Sequence, residues 1–246
     1  MKWARIRELF RKDFEELRTN RAVFASLFVL PAILMLEGIA YALGKGASIA
    51  PGTPGAAAAF VQGAQLSLDL LLLVPLLIAT TIGANSIVQE KTTRSLEPLL
   101  ATPITDTELL IGKALTPLVP GLVALWVCYA AIFAAVDAAA WPVTGTLVLP
   151  NGPALFQMGI EGPLLALVGT FAILAISSWA KDARAAQQLS MVVVLPILIS
   201  ILLLLLVFPS FGAQVAFAVA LAIAAYGLFR LALRRFDRPE ILVTWR

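Results

Sequence analysis

The chain has 246 residues, 60% hydrophobic and only 13% charged, with a formal net charge of +3 and a mean hydropathy of +0.92. A soluble domain carries about 25% charged residues, so most of this surface is destined for lipid, and the length reads as a single transmembrane domain, 1–246, with no room for a separate soluble core. The absence of histidine removes the commonest metal ligand and general base, and the single cysteine, Cys128, excludes an intrachain disulfide.

In residues 2–18, Trp3, Ile6, Phe10, Phe14 and Leu17 recur at three- and four-residue spacing with Leu9 beside them, which predicts one apolar helical face. Lys2, Arg5, Arg7, Arg11, Lys12 and Arg18, mixed with Glu8, Asp13, Glu15 and Glu16, take most of the rest. The expectation is a basic amphipathic helix over 1–21 lying at the lipid headgroups. Its spread of charges and the long apolar run behind it do not fit a cleavable signal peptide. Six apolar runs then have the length of membrane helices. They are 22–43, with Pro31 and Glu37 inside it; 66–88, with Pro75 and Asn85; 109–136, with Pro117 and Pro120; 163–180; 189–208; and 213–233. The Gly/Ala/Pro-rich residues 44–65 read as a loop. So do residues 137–162, which hold Trp141-Pro142, Thr144-Gly145 and Pro150-Asn151-Gly152-Pro153. The predicted fold is an all-α integral membrane protein of six transmembrane helices with an N-terminal amphipathic interfacial helix.

Orientation follows from the basic residues. Seven Lys/Arg lie in residues 1–21, three in 89–113, two in 181–188 and five in 230–246; only Lys45 falls outside these segments. Placing all four on the cytoplasmic side of the inner membrane, with both termini cytoplasmic, satisfies the positive-inside rule. The basic balance therefore reports topology. No basic stripe with interleaved aromatics is present outside the membrane boundary, so nucleic acid is not an expected partner.

Residues 89–103, QEKTTRSLEPLLATP, form the longest polar interruption between apolar runs. Glu90 and Arg94 at i, i+4 extend the second span as a helix past the membrane. Pro98 forbids an uninterrupted helix. Ser95 as an N-cap resolves the conflict, because Leu96, Glu97 and Pro98 then occupy a first turn where a missing N–H costs nothing. Leu96, Leu99 and Leu100 share one face of this short helix, and Thr102-Pro103 ends it. Thr105 and Glu108 form a capping box for the third span, with Ile104 and Leu109 as a hydrophobic staple. The segment 89–104 thus reads as a short crosswise helix between spans two and three. On these residues alone it is either a handle for a soluble partner or a loop on the headgroups.

Gln89-Glu90-Lys91, Leu96-Glu97, Leu99-Leu100, Thr102-Pro103-Ile104 and Gly112-Lys113 resemble the signature of type-2 ABC transporter permeases, which read Q-E, a small linker, G-T-L-E-x-L-L-x-T-P and then G-K. Residues 177–196, with Asp182, Arg184, Ala186-Gln187-Gln188 and Pro196, and the tail Arg235-Phe236-Asp237-Arg238 with Ile241-Leu242 and Trp245 are similar to later parts of that family. The usual Gly-Thr before Leu-Glu is Arg94-Ser95 here, which keeps the cap and loses a flexible glycine. The resemblance implies a permease subunit, most simply of an exporter, that forms a homodimer or heterodimer and binds two ATPase subunits. The coupling helix would be drawn from Gln89, Glu90, Arg94, Ser95, Leu96, Glu97, Leu99 and Leu100, with ATP and Mg held by the partner and no cofactor on this chain.

The residues themselves carry no catalytic constellation. Gly112-Lys113 is followed by Ala114 and lacks the upstream glycine of a phosphate-cradling loop, and no nucleophile elbow or metal spacing exists. Glu37 and Asn85 are the candidates for a translocation path, since ionisable groups inside spans must face protein or water; a structural hydrogen bond is the other reading of Glu37. Asp69, Asp137 and Glu161 are expected at the outer boundary, against headgroups. A membrane scaffold that docks a soluble partner, or a secondary transporter needing no ATPase, stays open at this level. The latter predicts paired ionisable residues near the midplane, and the sequence shows none.

Overall fold

A backbone immersed in hydrocarbon must satisfy its own N–H and C=O groups, which restricts spanning segments to helices and closed barrels. The apolar runs of this chain take the helical solution. The computed structural model describes residues 3–19, 21–46, 56–92, 105–177, 183–207 and 210–235, and every regular element among them is a helix. In order they are α1 (Trp3–Thr19), α2 (Arg21–Gly46), α3 (Ala56–Leu71), α4 (Leu73–Thr92), α5 (Asp106–Thr144), α6 (Gly152–Phe156), a π-helical turn (Gln157–Glu161), α7 (Gly162–Ser177), α8 (Ala183–Leu206) and α9 (Phe211–Arg235).

Among the described residues, five stretches are long and apolar enough to cross a membrane: Leu27–Gly46, Ala58–Gly83, Thr107–Pro142, Gly152–Ser177 and Phe211–Leu233. The expected span 189–208 falls on α8, whose apolar stretch Gln188–Leu203 is shorter.

Two segments expected as loops are helical over most of their described residues. Within 44–65, helix α3 begins at Ala56, because the run of alanines there is strongly helix-forming and outweighs the single Gly63. Within 137–162, α5 continues to Thr144 and stops at Gly145, whose φ of 63° is the left-handed cap that glycine adopts without strain. The chain then turns and restarts at Gly152, where the side chain of Asn151 accepts from the Ala154 N–H at 2.8 Å and Pro153 sits in the first turn. The turn residues do mark a bend, compressed into a few positions.

The second membrane stretch is two helices end to end. α3 and α4 part at Leu72, whose N–H reaches the Asp69 carbonyl at 3.2 Å. Pro75 has no N–H to offer the carbonyl one turn back, which accounts for the break. α4 is the central helix, packed on α7 and α5. A Cβ at Gly169 of α7 would lie 3.2 Å from the Leu76 carbonyl oxygen, the close backbone approach that small residues permit between membrane helices. Leu68, Leu71, Val74, Ile78 and Ile82 pack with Leu125, Tyr129, Ile132 and Val136 of α5 in the main core. The spans of α2 and α9 are each 22% buried, against 67% for Ala58–Gly83, so α2 and α9 present the open faces of the chain.

Helix α1 forms where the periodic pattern placed it. Its Ile6, Leu9 and Leu17 are buried in protein, with Leu9 against Leu109, Leu110 and Ala114 of α5, while Trp3 points away. Gly112 makes room for this contact, since a Cβ there would come within 2.5 Å of Leu9 Cδ2. The partner of the apolar face is therefore the transmembrane bundle itself, a surface that the sequence argument did not weigh.

Candidate functional site

Two polar constructions lie along α5. The first is at its start. Thr105 Oγ1 accepts from the Glu108 N–H at 3.3 Å, and Glu108 Oε2 accepts from the Thr105 N–H at 3.2 Å, so the expected capping box is present. Glu108 also faces Arg5 of α1 at 3.7 Å. Further along, the Lys113 ammonium donates to Asp13 Oδ2 at 3.3 Å, and both side chains are at most 2% exposed. Two carboxylate–cation contacts thus fasten α1 to the first turns of α5, reinforcing the Leu9 contact.

The second construction is a cavity of about 490 Å³ bordered by α3, α6, the π turn and α9. Tyr129 of α5, buried beside it, lies sixteen positions beyond Lys113, which is about 24 Å along the helix axis at 1.5 Å per residue. Gln157 is the hub. Its Nε2 donates to Asp69 Oδ1, and its Oε1 accepts from Gln65 Nε2 at 2.9 Å. The Tyr129 hydroxyl donates to the Leu68 carbonyl at 3.0 Å and stands 3.5 Å from Gln157 Oε1. Asn151, the cap of α6, reaches Gln65 Oε1 at 3.5 Å. Glu161 closes the π turn; it is 1% exposed, and its Oε1 has no protein partner.

The π turn has a local cause. Pro163 cannot donate to the carbonyl of Gly159, and the Gly162 N–H reaches back to the Gln157 carbonyl instead, five residues away. Such bulges concentrate at functional positions. Here the bulge belongs to a wall that carries Gln157 and Glu161 beside Asp69 and Gln65.

The structure separates the residues singled out from the sequence. Glu37 of α2 accepts from Ser67 Oγ at 3.3 Å on an exposed part of its helix and does not line the cavity. Asn85, Gln89 and Glu90 are on α4, which runs on to Thr92, but their side chains lie outside the described residues. Arg94, Ser95, Leu96, Glu97, Leu99 and Leu100 lie wholly outside them. The boundary carboxylates change role. Asp69 and Glu161 point into protein, at the cavity, and Asp137 accepts from the N–H groups of Val148 and Leu149 at 2.8 and 2.9 Å, fixing the turn after α5. Inward-facing polar groups gain hydrogen bonds that headgroup contact would not hold in place. Sequence reasoning missed Gln65, Tyr129, Asn151, Gln157 and Gln214. A usable signal existed in the i, i+4 pairs Gln65/Asp69 and Gln157/Glu161, although Gln65, Gln157 and Glu161 fall in segments expected as loops.

Long apolar helices meeting through small residues, with polar groups turned inward, define a multi-pass helical membrane protein. The profile of the family described as ABC-2 family transporter protein matches residues 7–233, and the chain belongs to that family of transporter membrane subunits. A search of curated proteins finds no match to it.

Proposed function

We propose that this chain is the permease subunit of an ATP-driven exporter and that residues 89–104 are the coupling helix gripped by a separate ATPase. The observation that carries this reading is a family match across residues 7–233 in a chain without a nucleotide-binding loop. Gly112-Lys113 is no remnant of one, since Lys113 is buried against Asp13 and Gly112 against Leu9. In this reading there are six spans, α8 being the one with the shorter apolar stretch. The cytoplasmic side of the inner membrane carries both termini and the coupling segment, and α1 lies along that interface with its other flank on α5. Two copies of the chain, or this chain with a related one, enclose the path. The exposed face of α2 supports such pairing, because Glu37 among exposed Ile33 and Leu36 is costly against lipid and needs protein or water over it. ATP and Mg stay on the ATPase, whose closure would draw the two coupling helices together and tilt α4 and α5.

The test is at the handle. Burying Leu96, Leu99 and Leu100 would contribute up to about 1.5–3 kcal/mol each before the cost of ordering the interface, against about 0–1 kcal/mol for rim contacts of Arg94 or Glu97. Leu99→Asp is expected to abolish recovery of the ATPase with the tagged permease and to end coupled ATP hydrolysis, with membrane insertion intact. Glu97→Ala should weaken coupling mildly. Wild-type yield and hydrolysis in Leu99→Asp would refute the coupling assignment.

A further inference from the structure

We infer that the cavity bordered by α3, the π turn and α9 binds an amphipathic organic ammonium ion, an N–H-bearing cation on an apolar body. The proposal rests on the permease reading only in making this ligand a substrate; the binding itself does not need it.

The lining is one-sided in its ionisable groups. Asp69 and Glu161 both face the cavity, and among the described residues no lysine or arginine lines it. Buried carboxylates in a membrane protein ordinarily pair with a cation or a full set of donors. Asp69 is hydrogen-bonded by both Gln157 and Gln65, whereas Glu161 Oε1 is buried with no donor. Gln214 Oε1, across the cavity on α9, is a second buried acceptor without a protein donor. Two orphaned acceptors, one of them on a carboxyl group, call for a guest that brings N–H groups and positive charge together. An alcohol would bring the donor without the charge, and a quaternary ammonium the charge without the donor.

The rest of the lining selects an apolar body. Phe211, Phe217, Leu66, Leu72 and Ile201 form the remaining wall, and Phe211 is held edge-on by Phe156 at 5.2 Å between ring centres. Aromatic faces beside a carboxylate suit organic ammonium groups. A volume of about 490 Å³ is that of a small organic molecule and far exceeds a bare ion. Among the described residues, no group of three or more His, Cys, Asp or Glu could hold a metal.

The ammonium group can come from a free amphiphile or from an amine-bearing lipid headgroup, and the experiment separates the two. The permease alone, in nanodiscs of phosphatidylglycerol, is titrated with 4-phenylbutylamine, and with 4-phenylbutanol and 4-phenylbutyrate as neutral and anionic controls. The amine is expected to bind at least tenfold tighter than either control. Glu161→Gln should erase that preference while leaving the weak binding of the alcohol unchanged, which shows that the cavity is still formed. Gln214→Leu, a second variant away from the carboxylates, should weaken the amine several-fold. Repeating the titration in phosphatidylethanolamine discs assigns the source: unchanged binding means a free ammonium ion, and suppressed binding means that the lipid headgroup holds the same site. Equal binding of amine and alcohol, or an amine preference that survives Glu161→Gln, overturns the proposal. A chain that binds the amine but recruits no ATPase refutes the permease reading and leaves the site standing; the reverse result refutes the site alone.

Discussion

Two places along α5 handle buried carboxyl groups in opposite ways. At its start, Lys113 and Asp13 face each other in a contact closed to solvent, and Arg5 faces Glu108. Beside Tyr129, some 24 Å further along α5 by the helical rise per residue, Asp69 and Glu161 share a cavity with amides and aromatics and no cationic side chain among the described residues. Compensated charge locks elements together, because every alternative arrangement leaves an ion bare. Carboxyl groups with no cation beside them leave room for something from outside. The first is built as a strut, which is what residues 89–104 would need to push against if they are the coupling helix. The second is built as a receptacle.

The largest expected effect comes from breaking the strut. Lys113→Met leaves Asp13 buried without its cation, and removal of one partner from a buried pair costs about 3–5 kcal/mol. The double change Asp13→Leu with Lys113→Met should recover most of that loss, since an apolar pair of similar volume is often neutral or better. Equilibrium unfolding in mixed micelles measures both variants. An equal loss in the single and double variants would show that the contact is incidental and that Leu9 against Gly112 does the fastening.

A smaller effect is expected at the receptacle. Tyr129→Phe removes the donor to the Leu68 carbonyl, a buried group with a 3.0 Å bond. An acceptor left bare costs about 1–3 kcal/mol. The same unfolding assay should show that loss, and if residues 89–104 are the coupling helix, recovery of the ATPase should be unchanged, because Tyr129 lies well along α5 from Thr105. A stability unchanged by this substitution would mean that the polar network around Gln157 adds nothing to the fold.

What could be read from the sequence follows the range of the interaction. The helices themselves follow from apolar runs, and the Thr105–Glu108 box from a spacing of three residues, all local information. The α1 periodicity was equally legible, but the partner of its apolar face was not. Asp13 was counted among the polar-face residues of that helix, and only a lysine one hundred positions later reverses the assignment. The receptacle was hidden for the same reason. Gln65/Asp69 and Gln157/Glu161 are each unremarkable pairs, and they become a site when α3 and the π turn are brought side by side. Residues 56–65 and 152–161 looked like loops because Gly and Pro were weighed above the alanine run and the Asn151 cap. Of the segment 89–104 proposed as the coupling helix, residues 93–104 lie outside the described residues, so for them the family resemblance remains the basis.

The smallest effect tests whether the strut transmits force. Thr105 is exposed and caps α5, where its hydroxyl and the Glu108 side chain exchange hydrogen bonds with each other's backbone. Losing an N-cap side chain costs about 1 kcal/mol. Thr105→Ala should therefore lower stability by that amount and leave Glu108 near Arg5, holding α1 in place. If residues 89–104 drive α5 through this joint, a frayed first turn absorbs part of the motion. Coupled ATP hydrolysis should then fall by more than the loss of folded protein explains, and Thr105→Ser, which keeps the hydroxyl, should restore it. Hydrolysis that merely tracks the folded fraction in both variants would place the transmission elsewhere, in α4 or in the contact between α1 and α5.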